Sequence, residues 1–500
     1  MEQLLNRPYT LRTGPNVPAI DPGIIPDKAF KWQRDGALAL ARFEKHGLFH
    51  ACGLGKSAAL LLALRLANAN KSIILTRAMG RFVYARDSVW AWPGVPVAVL
   101  IGRSGNDSPS AKAQLRAAEK YAAMLRERGA NVIVTRTMDE ALQARVVVTG
   151  YETLSARVSH GAPVDWDVAI ADESHMIKGW RADRTVAAHV LAQNAAVRWI
   201  ATATPVPDRI RDLWAQWAFC APKQAEGSWK WKHRYCGMHR GRFAMDDTGL
   251  THAAELSSRV QAAFDVKTRA EIRDLLPPAT NDIIRIPNDD ASYPSHRDIE
   301  SALGYAADKK TDWIVSRVRD ALIGNEKVVV VGNRLAWVPR IVREIEHALG
   351  NHSARKRLWI RTLTGEVPVA ERLALADEFR AAPAPAVAVC TMDSIKAAID
   401  MQDADEVIAA ALPWAAGDII QFKGRFQRPG QSRPVTFLWP VLEGSIDEEV
   451  EALVLSKLSA VEAVGVSTEE PDAGLSSVSD RETADALSDW LRRSSEEAAG

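Results

Sequence analysis

The 500-residue sequence contains no Cys-x-x-Cys pair, and its four cysteines, Cys52, Cys220, Cys236 and Cys390, lie far apart. Neither a zinc module nor a disulfide framework is supported. No apolar run is long enough to span a bilayer, and Met1 to Thr10 lacks the apolar centre of a secretory leader. Together these point to a soluble chain of the cytoplasm, with no membrane partner. Net charge is almost absent, at +1, so bulk charge selects no class of partner. The charge is unevenly spread: Val466 to Gly500 holds nine acidic and three basic residues. A mildly basic body with an acidic tail suits a DNA-binding groove beside a solvated tail, and suits chance equally well.

The composition is ordinary for a globular protein, 47% apolar and 25% charged, at a length that fits two or three domains. Residues 1–25 read as an irregular, Pro-rich N-terminal arm, and Ala29 to Lys45 has helical apolar spacing. Short β-rich runs then alternate with helical stretches. They are 72–76, 145–149, 168–171 and 197–201 in the first half, and 327–331, 358–361, 386–390, 406–409 and 434–438 in the second. Near-continuous apolar strands that alternate with helices predict parallel sheets covered on both faces. Two α/β lobes follow, over 26–205 and 291–465. Residues 206–290 read as a mostly helical, aromatic-bearing insert and linker, with a break near Pro277-Pro278 to Pro294. Residues 466–500 read as an acidic flexible tail, in which Thr483 to Arg493 has amphipathic spacing for one short helix.

Three motifs carry chemistry. Gly53-Leu-Gly-Lys-Ser57 precedes a helical run, so its backbone N–H groups suit phosphates at a helix N-terminus. Lys56 then contacts the β- and γ-phosphates and Ser57 ligates Mg²⁺. The strict pattern wants Gly where His50 stands, and the plainer alternative is a Gly-rich turn at a helix end. Asp172-Glu173 follows an apolar strand, where an α/β nucleotide site places its carboxylates. Asp172 suits the metal and Glu173 the attacking water; the alternative is a surface turn. Finally, Gln421-Phe-Lys-Gly-Arg-Phe-Gln-Arg-Pro-Gly-Gln431 sets Arg425 and Arg428 three apart, on one face if the segment is helical. Both could reach one polyphosphate, or form a solvated face.

The order Lys56, Asp172-Glu-Ser-His175, Thr202-Ala-Thr204 and Gln421-x-x-Gly-Arg-x-x-Arg428 resembles superfamily 2 helicases. Val147-Val-Thr-Gly-Tyr-Glu-Thr-Leu154, Asp172 to Lys178, Thr204-Pro205 and Arg428-Pro-Gly-Gln431 resemble the Swi/Snf branch. Arg81-Phe-Val-Tyr84, Trp90, His233-Arg-Tyr-Cys236 and Leu275-Leu-Pro277 are similar to the HARP-like annealing helicases that remodel forks. The likeness runs over about residues 25 to 455. It implies two RecA-like lobes and a DNA-dependent ATPase that uses ATP and Mg²⁺ to translocate on duplex or forked DNA. By the same resemblance Gln33 reads adenine, Gly53, Gly55, Lys56, Ser57 and Gln421 line the nucleotide, and Arg425 and Arg428 act on its γ-phosphate. His175, Thr202 and Thr204 then couple hydrolysis to movement. DNA contacts fall on Arg77, Thr149, Tyr151, Arg334, Thr364 and Thr391. On their own residue types, Gln33 is equally a surface glutamine and the threonines are equally strand-end residues. Trp229-Lys-Trp-Lys-His-Arg-Tyr235 mixes cations with aromatics, which suits nucleic acid or simply a core-facing helix.

Some residues depart from the resemblance. Thr391 to Asp400 lacks the glycines expected after its threonine, although Ile399-Asp400 matches the motif's end. Ser174 stands where Ala or Gly is usual, and Arg77 where Pro is frequent. With no targeting module evident, targeting is expected from a separate protein or from the inserts themselves. Alternative functions are a strand-separating helicase, a restriction-type motor subunit, or a nucleotide-gated DNA-binding protein with little turnover. An unrelated P-loop kinase has no use for the late arginine block.

Overall fold

The computed structural model describes residues 20–102, 108–155, 164–206, 209–240, 245–247, 249–268, 270–288, 299–396, 399–411, 416–429, 431 and 433–452. The N-terminal arm before residue 20, the acidic tail and the 483–493 segment lie outside them. The described chain separates between Glu271 and Ile272 into two compact units.

In the first unit the strands are β1 (Gly47–His50), β2 (Ser72–Thr76), β3 (Pro96–Leu100), β4 (Asn131–Thr135), β5 (Val146–Gly150), β6 (Val168–Asp172) and β7 (Val197–Ala201). A short antiparallel pair, β8 (His239–Arg240) and β9 (Met245–Asp246), stands apart, and β10 (Asp265–Lys267) returns to the main sheet. The sheet order is β10-β1-β7-β6-β2-β5-β3-β4, and every pairing is parallel. Central strands β1, β2, β5, β6 and β7 are buried along their whole length. This explains their unbroken Val/Ile/Leu runs, since both faces are covered by helices. The helix Lys56–Leu66 shows the same logic, with Leu60, Leu61, Leu62 and Leu64 fully buried. A helix apolar on every side has no solvent face to present.

The second unit holds β11 (Ala279–Ile286), β12 (Lys327–Gly332), β13 (Trp359–Leu363), β14 (Ala386–Thr391), β15 (Glu406–Ala409) and β16 (Val435–Leu442). Their order is β11-β16-β15-β12-β14-β13, again all parallel. Helix Trp337–Leu349 lays Trp337, Val338, Ile341, Ile345 and Leu349 onto this sheet at helical spacing. Each unit is a RecA-like parallel α/β lobe.

All nine expected strand runs are strands, with ends shifted by a few residues. The structure adds β1, β3 and β4 to these runs; the signals of β3 and β4 were diluted. Pro96 at the start of β3 reads as a breaker, and β4 is an edge strand with Asn131 exposed. Residues 206–290 are less helical than their sequence suggests. Helices Arg211–Cys220, Pro222–Ala225, Ser228–Tyr235 and Ala253–Ala263 are present, but the segment also supplies β8 and β9, edge strand β10 to the first sheet and edge strand β11 to the second.

One buried ion pair organises the second unit. Lys310 is 1% exposed, and its Nζ donates to the carbonyls of Ala410 (2.6 Å) and Pro440 (3.2 Å) and to Asp447 (2.5 Å). Asp447 also accepts from the Leu442 N–H at 3.1 Å. Burial lowers the Lys310 pKa against the pull of Asp447. Removing one partner leaves an uncompensated buried charge, which costs about 3–5 kcal/mol. Lys310→Met is therefore expected to unfold this unit at markedly lower urea concentration, with part of the loss recovered in Lys310→Met/Asp447→Asn. A single variant that melts like the wild type contradicts this role.

Candidate nucleotide site

A parallel sheet collects its functional loops at the carboxyl ends of its strands. β1, β7, β6 and β2 are consecutive neighbours in the first sheet. The loops they deliver are Ala51–Gly55, Thr202–Thr204, Asp172–Glu173 and Thr76–Arg77, so four separate sequence motifs meet because their strands do.

The loop after β1 turns through Gly53 (φ 85°) and Gly55 (φ 71°) into the helix that starts at Lys56. Both angles lie in the left-handed region that favours glycine. A Cβ on Gly55 would also stand 2.2 Å from Gln33 Nε2. The Lys56 ammonium donates to the carbonyls of His50 (2.8 Å) and Ala51 (3.3 Å), inside its own loop. Helix Lys31–Ala41 supports the loop from beneath. Trp32 Nε1 donates to the Leu54 carbonyl at 2.9 Å, and Gln33 Nε2 to those of Gly55 (3.2 Å) and Leu54 (3.4 Å). Gln33 Oε1 accepts from the Phe30 N–H at 3.0 Å, and the side chain is buried.

His50, the departure from the strict glycine pattern, has a structural cause. Its ring is wholly buried, and Nε2 lies 2.6 Å from the Asp265 carboxylate on β10. Burial lowers its pKa, with Asp265 opposing. The neutral ring donates through Nε2 to the carboxylate, and Nδ1 has no hydrogen-bond partner. Gly36 makes room: a Cβ there would come within 2.9 Å of Asp265 and 3.1 Å of the His50 ring. The Ala51 N–H donates to the Lys267 carbonyl at 2.9 Å. Strand β10 thus braces the Ala51–Gly55 loop from the sheet edge, which no sequence motif announced.

Asp172 ends β6 and is nearly buried. Its carboxylate accepts from Thr76 Oγ1 and from the Glu173 N–H, both at 3.0 Å. Burial, then the neighbouring Glu173 charge, pushes its pKa up to about 6. Tyr84 is fully buried beside Asp172 and Ser57, without hydrogen-bond geometry to either. Tyr151 is also fully buried, and its hydroxyl donates to the Asp172 backbone carbonyl at 2.8 Å. Glu173 adopts φ 52°, an uncommon conformation for a residue with a side chain. Its Oε2 stands 3.5 Å from His175 Nδ1.

His175, Thr202 and Thr204 come together as one cluster. His175 Nδ1 lies 3.1 Å from Thr202 Oγ1 and 3.4 Å from Thr204 Oγ1, and the Thr204 N–H donates to Thr202 Oγ1 at 3.0 Å. Burial lowers the His175 pKa, Glu173 opposing. Ser174, the departure in the carboxylate motif, donates to Gln216 Oε1 at 2.7 Å. Gln216 is fully buried, and its amide donates to the carbonyls of Pro205 (2.7 Å) and Asp212 (2.9 Å). One glutamine thus links the carboxylate motif to the Thr-Ala-Thr-Pro motif. A lone polar residue in Leu213-Trp-Ala-Gln-Trp-Ala-Phe219 was the available signal.

The expected DNA contacts differ in accessibility. Arg77 is half-buried and Arg334 exposed, the latter 3.8 Å from Glu300. Thr149, Thr364 and Thr391 are buried, like Tyr151. The Thr149 hydroxyl donates to the Leu100 carbonyl (3.4 Å), and that of Thr391 shares a hydrogen with Ser394 (2.8 Å).

The arginine block needs one correction. Its helix, Ala416–Lys423, stops before Gly424, so Arg425 and Arg428 lie in the turn beyond and share no helix face. Gln421 and Arg425 are buried. Arg428 donates from Nε to the Gly424 carbonyl at 3.1 Å and pairs through Nη2 with Asp400 at 2.5 Å. The Met401 N–H donates to the Arg425 carbonyl at 3.0 Å. The glycine-poor 391–400 segment is thereby tied at its end to the arginine block.

Two family models match the chain: the SNF2-related domain over residues 91–310 and the helicase conserved C-terminal domain over residues 315–430. The first match begins downstream of the Gly53–Ser57 turn. Among curated proteins, the chain is similar to the SWI/SNF-related matrix-associated actin-dependent regulator of chromatin subfamily A-like protein 1 of Xenopus tropicalis, at 21% identity over 372 residues, 70% of this chain and 38% of that protein. It is 24% identical over 375 residues to the DNA annealing helicase and endonuclease ZRANB3 of Mus musculus, covering 68% of this chain and 34% of that protein. The chain therefore spans well under half the length of these relatives. Among solved structures, the Sulfolobus solfataricus SWI2/SNF2 ATPase core in complex with dsDNA matches at 15% identity and a TM-score of 0.40, over 95% of this chain and 98% of that one. The chain belongs to the SNF2-related helicase-like proteins, with an SNF2-related domain followed by a helicase conserved C-terminal domain.

Proposed function

We propose that this protein is a DNA-dependent ATPase that translocates on duplex or forked DNA and remodels it. The observation that carries this reading is that Lys56-Ser57 and Asp172-Glu173 lie at the same end of one parallel sheet, beyond β1 and β6 with only β7 between them. Both relatives described above bear names that place them in chromatin regulation or DNA annealing. A protein in trans is the proposed source of targeting to particular DNA.

ATP phosphates are proposed to lie on the N–H groups of the Gly53–Ser57 turn, at the N-terminus of an 11-residue helix. Lys56 would exchange its loop carbonyls for β- and γ-phosphate oxygens. Gln33 would exchange its Phe30 and loop bonds for the adenine edge. Ser57 and Asp172 offer the hard oxygen donors that suit Mg²⁺. The raised pKa of Asp172 marks a carboxylate that a cation would favour in its ionised form. Mg²⁺, when bound, would neutralise charge on the β- and γ-oxygens. Glu173, held beside His175, would orient the attacking water and take its proton. The His175–Thr202–Thr204 cluster would feel that change directly. Arg425 and Arg428 are the proposed cations for the transition state, with Arg428 leaving Asp400. Gln421 is proposed to support the nucleotide. For DNA, Arg77 and Arg334 would meet phosphates through side chains. The buried Thr149, Tyr151, Thr364 and Thr391 would contribute through the loops they hold. Such contacts position without reading sequence.

Hydrolysis of ATP by the full chain is expected to rise on adding blunt duplex DNA. Lys56→Ala and Glu173→Gln should each lower turnover at least about a hundredfold, and Arg428→Ala about a thousandfold, all with duplex binding retained. Stimulation by RNA or single strands alone, or full turnover in Glu173→Gln, contradicts the proposal. A second expectation concerns the brace on the phosphate loop. Asp265→Ala leaves the buried His50 Nε2 unpaired, a loss of about 1–3 kcal/mol. Titration with a fluorescent ATP analogue should show weaker binding by roughly fivefold or more, with duplex DNA affinity unchanged. Unaltered nucleotide affinity would show that β10 plays no part in the site.

A further inference from the structure

The stretch from Trp229 to Tyr235 left a nucleic-acid reading and a core reading open, and the structure divides the stretch between them. On helix Ser228–Tyr235, Trp231 and Tyr235 face inward and are buried, with Trp231 packed edge-on against Trp217 at 5.4 Å. Trp229 and His233, also four residues apart, form a different face. Trp229 is 62% exposed, the most exposed large apolar side chain among the described residues. Its ring lies 4.5 Å from the His233 ring, edge to face.

Beside this indole is a cleft of about 470 Å³ whose wall includes Trp229, Lys230, Arg234, His252, Arg259 and Glu226. Glu226 is the one carboxylate in that wall, against three Lys or Arg side chains. Two of the cations are fixed in place. Arg234 makes a two-pronged bond to Glu255 (2.9 and 2.6 Å), and Arg259 donates to the Tyr235 hydroxyl and the Gln224 carbonyl (both 2.6 Å). Lys230 extends into solvent. The helix end is secured by Thr251 and His252, which both bond the Arg234 carbonyl (2.6 and 2.8 Å). The first unit keeps its core without Trp229, so neither packing nor a hydrogen bond accounts for an indole at this position.

We propose that this cleft is a docking site for an unpaired nucleotide of a DNA strand, its base stacked on Trp229 and its phosphate near Lys230 and Arg234. A flat π surface flanked by cations is what a single-stranded nucleotide requires, because each base offers a π face and each phosphate a negative charge. Bases within a duplex are already stacked on both faces. The inference rests on the DNA-translocase reading and specifies the part of a fork that the insert would hold.

The test compares the full chain with Trp229→Ala and Trp229→Phe, measuring affinity for a fork with single-stranded arms and for a blunt duplex of equal length at one salt concentration. Trp229→Ala should lose about 5- to 100-fold in fork affinity. Trp229→Phe should regain most of it, while blunt-duplex affinity and duplex-stimulated ATPase stay at the wild-type level. Unchanged fork affinity in Trp229→Ala overturns the proposal, as does an equal loss on fork and duplex. If the wild type binds neither DNA, the translocase reading fails instead, a result separable from the first two.

Discussion

A parallel strand can deliver chemistry only at its carboxyl end, and the first sheet exploits this by setting β1, β7, β6 and β2 side by side. From that order follows the meeting of the Gly53–Ser57 turn, a Thr-Ala-Thr motif, a carboxylate pair and Thr76, residues separated by up to about 150 positions in the chain. The central strands are buried on both faces, so they hold these ends rigidly, and the loops need little structure of their own. The bonds there are mostly short links from one motif to the next. Thr76 reaches Asp172, Tyr151 reaches the Asp172 carbonyl, and His175 reaches both threonines. A displacement at one strand end is therefore felt at its neighbours.

Two features extend this network beyond the recognised motifs, and both come from the segment between the lobes. Gln216 ties Ser174 to Pro205, and Asp265 ties β10 to His50. In each case a hydrogen bond holds the buried polar side chain of a motif residue, and leaving such a group unpaired is costly. Two of the residues that depart from the motif patterns, His50 and Ser174, thus anchor the intervening segment to the strand-end site. The same segment carries the exposed Trp229 cleft, which places a candidate nucleic-acid contact and the brace on the phosphate loop within one piece of chain.

Much of this was legible in the sequence because the physics behind it is local or periodic. Runs such as Lys327-Val-Val-Val-Val331 can only be buried strands, and Gly53-x-Gly-Lys-Ser57 encodes its own left-handed turns. The placement of β10 was not legible. Three residues, Asp265-Val-Lys267, carry no periodic signal, and their pairing with β1 is a contact across more than 200 positions. Partners of buried polar groups were also hidden: nothing local connects Ser174 with Gln216, or Arg428 with Asp400. The shared helix face assigned to Arg425 and Arg428 did not hold because Gly424 follows the last helical residue. Spacing alone cannot reveal where a short helix stops. The mixed aromatic and basic stretch at 229–235 was ambiguous for a deeper reason, since one helix serves both readings on different faces.

The central claim is that hydrolysis at this strand-end site is converted into movement along duplex DNA. The measurement that tests it most directly is displacement of a triplex-forming strand from a duplex by the full chain with ATP and Mg²⁺. The account predicts displacement with ATP and none with a non-hydrolysable analogue. Steady ATP hydrolysis on the duplex with the third strand left in place, or displacement that needs no hydrolysis, would contradict it.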